Sequence, residues 1–307
     1  MKVPVFVIDS SVITFLLVHS LQNAFGNDEI KIGGFKYTEA VKHCNVALDW
    51  VDSLAWLPNP PPRRSTIWVM DSKPYWRSLE YVDYKAGRKP KPTIFSDILA
   101  LIEHKFCTLS VSGYEADDCA ALIERVWRNK TKHSSLGNLF LLTNDTDWMG
   151  LANDGCFWVN VLRYAPRIRG KEECHSWIAK KMAKGKAIAN WELKDLHAGF
   201  KSSDIWRFKS LAGDKSDNIP GGADMQYLID LHEPPIEHRL WLREHLKQVA
   251  IKKLTTITPP KDSFKLNQRV FSSGVPLPFT PFFDGEDELE PLMDFLTWQN
   301  SALELAS

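Results

Sequence analysis

Cysteine is sparse in this 307-residue chain: Cys44, Cys107, Cys119, Cys156 and Cys174 make an odd count with no C-x-x-C pair. That argues against a disulfide scaffold or a zinc ribbon and for free thiols in a reducing compartment. The nine histidines have no zinc-type spacing relative to Cys. Long apolar runs are missing too. Val12 to Val18 is too short to cross a bilayer, and Asp9 interrupts the apolar stretch that a secretory signal needs. An excess of one charge is also lacking, with 38 Lys+Arg against 38 Asp+Glu, so blanket adhesion to nucleic acid or acidic membranes is not expected. No internal repeat is visible. The expectation is a soluble, cytoplasmic monomer with no membrane partner.

What is present is ordinary material for a packed core: 44% hydrophobic and 25% charged residues, enough for one large domain or two modest ones. Val3 to Asp9 reads as a short buried strand ending on a carboxylate, followed by a helix over about Val12 to Phe25. A second helical pattern runs from about Thr38 to Trp56, before the Pro-rich turn Pro58 to Pro62. Thr66 to Asp71 and Leu139 to Asp145 repeat the pattern of an apolar run ending on Asp. Apolar runs alternating with helices predict an α/β fold with a parallel sheet covered on both faces. One Asp after a strand is usually a turn residue or cap. Three at equivalent places point to a shared site, because open α/β sheets bind ligands at the carboxyl ends of their strands.

Gly113-Tyr-Glu-Ala-Asp-Asp118 opens a helix with three acids, and Glu115 and Asp118 share one face of its first turn. Acids favour helix N-termini through the macrodipole, which accounts for one or two of them but not for Asp145-Thr-Asp147 and Gly213-Asp-Lys-Ser-Asp-Asn218 as well. Asp9, Asp71, Glu115, Asp117, Asp118, Asp145, Asp147, Asp214 and Asp217 are nine carboxylates without matching His or Cys. Such a set suits hard, oxygen-loving divalent cations such as Mg²⁺ or Mn²⁺. Converged without metal they would repel strongly, and two such ions a few ångström apart are the usual clamp for in-line attack on a phosphodiester.

The complement lies at Lys73 to Lys91, where Lys73, Arg77, Lys85, Arg88, Lys89 and Lys91 face only Glu80 and Asp83, with Tyr75, Trp76, Tyr81 and Tyr84 interleaved. Cations interleaved with aromatics suit a single strand, with phosphates paired and bases stacked. Lys85 and Arg88, three apart, would point the same way toward one phosphate. A second basic region, 163–186, carries eight Lys/Arg against two Glu, and the stretch from Asp284 to Glu290 is acidic and reads as a solvated face.

With these motifs in this order, the chain resembles the 5′ nuclease, or flap endonuclease, family. It looks most like the stand-alone bacteriophage 5′-3′ exonucleases and the T-even phage ribonuclease H. The resemblance spans about residues 3–222. It rests on Asp9, Asp71 to Trp76-Arg77, Tyr84-Lys85 to Arg88, Glu115 to Asp118, Asp145 and Asp147, and Gly213 to Asn218. It implies a PIN-like α/β core over 1–222 with a helical arch or clamp at about 73–112 and a helix–three-turn–helix element at about 203–230. The 231–307 region is expected to be mainly helical.

By resemblance, Asp9, Asp71, Glu115 and Asp117 would hold one Mg²⁺, with Mn²⁺ as a substitute. Asp118, Asp145, Asp147 and Asp217 would serve a second ion, with Asp214 in support. Asp71 and Asp145 would join Lys85 and Arg88 in catalysis. Lys73, Arg77, Tyr84, Lys85, Arg88, Lys89, Lys91 and Lys215 would contact nucleic acid, with Arg77 also fit for a structural role. The implied activity is metal-dependent 5′-3′ exonuclease or flap-endonuclease cleavage of DNA near 5′ ends, or of RNA in an RNA–DNA hybrid. It would serve primer or flap removal in phage-type replication beside replication proteins, in the host cytoplasm. Where larger relatives continue with a second glycine turn and a K-T-A helix start, this chain reads Gly221-Gly-Ala-Asp-Met-Gln-Tyr227. The alternatives are a PIN-type endoribonuclease, which needs about four acids and no arch, and a non-catalytic nucleic-acid binder.

Overall fold

The computed structural model describes residues 3–25, 35–57, 65–130, 136–160, 167–174, 176, 214, 216–218 and 264–267. In chain order these form β1 (Val3–Asp9), α1 (Ser10–Phe25), α2 (Phe35–Asp52), β2 (Ser65–Met70), α3 (Trp76–Glu80), α4 (Thr93–Lys105), β3 (Thr108–Val111) and α5 (Ala116–Lys130). There follow β4 (Leu136–Leu142), a 3-10 turn (Asp147–Leu151), β5 (Cys156–Asn160), β6 (Arg167–Arg169) and β7 (Phe264–Asn267). No described helix is long and apolar enough to cross a membrane.

The strands make one sheet in the order β6-β5-β4-β1-β2-β3-β7. Neighbours from β5 through β3 run parallel, and the two edges, β6 and β7, are antiparallel. The inner strands are apolar on both faces, as a doubly covered sheet requires. Side chains alternate with the pleat. Val5, Val7, Ile67, Val69, Leu139 and Leu141 join a core with α5 and the 3-10 turn. Phe6, Ile8, Trp68 and Leu142 join the opposite core with α1, α2 and α4. On that face Trp68 stacks on Phe106 with ring centroids 5.0 Å apart, and its indole N–H donates to Asp52 at 2.8 Å.

The parallel α/β core expected from the sequence is present, and β1, β2 and β4 are the three strands that lead into Asp9, Asp71 and Asp145. From β1 the chain winds outward through β2 and β3, then returns to β4 on the other side. The crevice between the carboxyl ends of β1 and β4 is therefore the topological switch point, where open α/β sheets bind ligands.

One boundary differs from expectation, and one strand lies in a region expected to be mainly helical. The segment standing outside the core is shorter than 73–112: α4 buries Ile94, Phe95, Ile98 and Ile102, and β3 is a sheet strand, so the basic, aromatic insertion ends near residue 92. Within 231–307, where mainly helix was expected, Phe264–Asn267 pairs as a strand with β3. The remainder of that region, 203–213, 219–230 and most of the basic 163–186 stretch lie outside the described residues.

Candidate active site

Asp9 ends β1 with both oxygens occupied. Its Oδ1 accepts the Val12 amide at 3.1 Å and its Oδ2 the Thr143 hydroxyl at 2.8 Å. Burial, with the charges of Asp71 and Asp145 close by, pushes its carboxyl up to about 7 despite those hydrogen bonds. Asp71, just past β2, accepts the Ser11 hydroxyl at 3.1 Å and the Ala116 amide, at the first turn of α5, at 3.0 Å. Burial raises this carboxyl, but Lys85, the Ala116 amide, Lys91 and Ser11 outweigh it and leave Asp71 below the ordinary carboxylate range.

Asp117 leads α5 and accepts the Trp148 indole N–H at 2.7 Å. Burial, then the charges of Asp145, Glu115 and Asp9, holds its carboxyl well above the ordinary value. Asp145 is tied in by backbone: its amide donates to Thr143 Oγ1 at 3.0 Å, and its Oδ1 accepts the Asp147 amide at 2.8 Å. Asp9, Asp71, Asp117 and Asp145 thus converge at the strand ends. Beside them Asp147, Asp214 and Asp217 form a second group, with one carboxylate oxygen from each within 4.8 Å of the other two. Ser216 shapes Asp214 by donating from its amide at 3.0 Å and its hydroxyl at 2.5 Å.

Glu115 sits between the groups and is held by three donors: Arg77 Nη1 at 2.9 Å, Tyr84 OH at 2.8 Å and the Lys85 ammonium. The short β3–α5 connection that delivers it turns at Gly113, whose φ of +83° favours a residue without Cβ. That turn is pinned to the insertion by Trp76 N–H to Gly113 C=O at 2.8 Å and Ser72 N–H to Tyr114 C=O at 2.9 Å.

Three expectations change here. Asp118 is not placed as a metal ligand. Arg77 takes both of its oxygens, at 2.5 and 2.6 Å, and the Trp76 indole and Glu115 amide donate to the same carboxylate. Asp118 occupies the third helical position and reaches back to the amide ahead of α5, which is the capping-box geometry. Arg77, for its part, is 2% exposed and stacks under the Trp76 ring at 4.7 Å, so it is structural and shielded from a nucleic acid. Tyr84 is buried against Glu115 and cannot stack on a base.

Of the other cations, Lys85 lies beside Glu115 and 3.9 Å from Asp217, and Arg88 reaches Asp217 at 2.9 Å and the Ser216 carbonyl at 3.0 Å. Lys91 stands 3.9 Å from Asp71 and over the Phe95 ring at 4.1 Å. Lys73 and Lys89 are exposed, and Lys215 lies outside the described residues. Thr143 and Ser11 were not singled out in the sequence, and of the two Thr143, directly before Asn-Asp145, carried a local signal.

Among the described residues the candidate ligands at the crevice are all carboxylate oxygens, and burial and mutual repulsion disfavour the charged forms of Asp9 and Asp117. That donor set fits divalent, oxygen-preferring cations: one among Asp9, Asp71, Glu115, Asp117 and Asp145, another at Asp147, Asp214 and Asp217.

The chain is similar to several known proteins. Over 159 residues the chain is 33% identical to the thermostable DNA polymerase I of Thermus caldophilus, a match covering 50% of this chain and 16% of that protein. It is 37% identical over 71 residues to the flap endonuclease Xni of Shewanella frigidimarina, covering 22% of this chain and 28% of that one. These curated relatives are thus matched over a minor part of their length. The fold is that of the T5 D15 protein co-crystallized with metal ions (TM-score 0.51, 17% identity, 82% of this chain and 88% of that one). A model of the 5′-3′ exonuclease N-terminal resolvase-like domain matches residues 4–183, more than half of the sequence, and on that match the chain belongs to the 5′-3′ exonuclease family.

Proposed function

We propose that the protein is a divalent-metal-dependent hydrolase of phosphodiester bonds near the 5′ ends of DNA, acting as a 5′-3′ exonuclease and flap endonuclease. The observation that carries this reading is the convergence of seven aspartates and Glu115 at the sheet's switch point, with Lys85 and Arg88 across from them.

Asp9, Asp71, Glu115, Asp117 and Asp145 would hold one ion, and Asp147, Asp214 and Asp217 the other. When bound, Mg²⁺ or Mn²⁺ supplies Lewis-acid activation of water and neutralises charge on the departing 3′ oxygen. Thr143 and Ser11 orient Asp9 and Asp71 toward the crevice through their hydroxyls. Lys85 and Arg88 offer charge to the phosphate as it becomes more negative, a contribution of about 3–4 kcal/mol per well-placed donor. Lys73, Lys89 and Lys91 line the approach of the strand. RNA of an RNA–DNA hybrid and a role in primer removal belong to the same reading.

A 5′-flap duplex labelled at either end, incubated with Mg²⁺, Mn²⁺ or EDTA, tests it. Short 5′ products in metal but not in EDTA are expected, and their lengths separate stepwise from flap cutting. No products in either metal would leave a binding protein. A hairpin with a blocked 5′ end cut as fast as a free end would favour the endoribonuclease-type alternative.

A further inference from the structure

Lys85 and Arg88 are placed to neutralise a phosphate, yet here both are engaged by the carboxylates. The Lys85 ammonium meets Glu115 Oε1 and lies 3.9 Å from Asp217 Oδ1. Arg88 donates to that same Asp217 oxygen at 2.9 Å, and Asp217 belongs to the three-aspartate group. We propose that Lys85 and Arg88 act as resident counter-ions of this acid cluster, which an entering divalent cation displaces and so releases toward the substrate phosphate. This inference rests on the metal-dependent reading above and adds an order of events to it.

Charge and geometry both support the exchange. Two cationic side chains within 4 Å of one carboxylate oppose any third positive charge at that point. A divalent ion supplies both their charges at once, so the carboxylates lose nothing when it takes their place. The loop that carries the cations is held mainly by polar clips to the same acidic segment. Lys85 N–H donates to the Asp217 carbonyl at 3.0 Å, Arg88 Nε to the Ser216 carbonyl at 3.0 Å, and Asn218 Nδ2 to the Asp83 carbonyl at 3.0 Å. Lys85 and Asn218 both have left-handed backbones, with φ of 57° and 60°, a conformation that non-glycine residues keep where their surroundings impose it. Between Val82 and Arg88 only Tyr84 is buried, while Val82, Asp83, Ala86, Gly87 and Arg88 are exposed. Apart from the Tyr84 ring, packed with Trp76 and Tyr81, little apolar contact resists movement of Lys85 to Arg88 once the clips are released.

Two measurements on the full chain test this: hydrogen exchange at the Lys85 amide with and without saturating Mn²⁺, and calorimetric Mn²⁺ affinity of the wild type, R88Q and K73M. Lys73 lies on the same insertion but has no carboxylate partner among the described residues, so K73M gives the effect of simply removing one positive charge. The expected results are a roughly tenfold or greater rise in Lys85 exchange on Mn²⁺ binding and a Mn²⁺ affinity for R88Q about two- to fivefold tighter than for K73M. Mn²⁺ binding with unchanged Lys85 exchange, or R88Q binding no tighter than K73M, would overturn the counter-ion inference and leave the nuclease reading standing. Absence of Mn²⁺ binding by the wild type would overturn both.

Discussion

Arg77 and Asp118 form a two-pronged ion pair, Nη1 to Oδ2 at 2.5 Å and Nη2 to Oδ1 at 2.6 Å, with both side chains only 2% exposed. The pair joins α3 to α5, and the same guanidinium reaches Glu115 at 2.9 Å. One arginine thereby sets where a candidate ligand stands without touching the substrate.

Removing that arginine takes from buried Asp118 its two-pronged ion pair and from buried Glu115 one of its three donors. Arg77→Ala is expected to destabilise the protein by about 3–5 kcal/mol, read from urea unfolding. Arg77→Lys should recover only part, because an ammonium cannot offer the planar fork. A loss under about 1 kcal/mol for the alanine variant would refute this role.

Asp9 links pH to stability. Its folded-state carboxyl lies at about 7 against an ordinary 3.8, so between those values the folded protein holds a proton that the unfolded chain has released. Metal-free stability therefore falls as pH rises from about 4 to about 7 and levels off above, by at most about 4 kcal/mol from this group. Asp9→Asn should flatten that slope, raise the melting temperature of the metal-free protein at pH 7.5, and abolish cleavage. A lower melting temperature for Asp9→Asn in EDTA would contradict the assignment.

Thr143 serves two acids at once, donating to Asp9 and accepting the Asp145 amide. Thr143→Val keeps the shape and removes both bonds. A roughly 10- to 100-fold weaker metal affinity is expected, seen as a higher Mg²⁺ concentration at half-maximal cleavage. An unchanged metal titration would show that Thr143 has no such part.

Tyr84 separates packing from binding. Tyr84→Phe deletes a buried donor to Glu115 and should cost about 1–3 kcal/mol of stability. The affinity for single-stranded DNA in EDTA should stay within about twofold, since a ring already enclosed has no stacking to lose. A tenfold weaker affinity would restore the stacking role read from the sequence.

The legible part of the molecule was the part written in local pattern. Asp9 and Asp71 could be placed because an apolar run of strand length precedes each, and the α5 acids because they open a helical stretch. The errors came from partners far away in sequence. Helical spacing put Glu115 and Asp118 on one face, and the resemblance made both of them ligands, of different ions. Arg77, 41 residues earlier, is what withdraws Asp118 from that role, and no spacing rule reveals that. Tyr84 looked like one of four interchangeable aromatics, and only the fold sets it under Glu115. Strands β3, β6 and β7 are three or four residues long, too short for an alternating pattern to declare itself.

The pairing of β7 with β3 bears on how the chain assembles. Residues 264–267 close an edge whose partner was made some 150 residues earlier. Until then, the β3 backbone presents unpaired N–H and C=O groups to any strand that passes. During synthesis the α/β core must therefore wait with one margin open. A contact so distant along the chain slows completion of the sheet, and a chain ended before residue 264 would keep that margin as a permanent invitation to self-association.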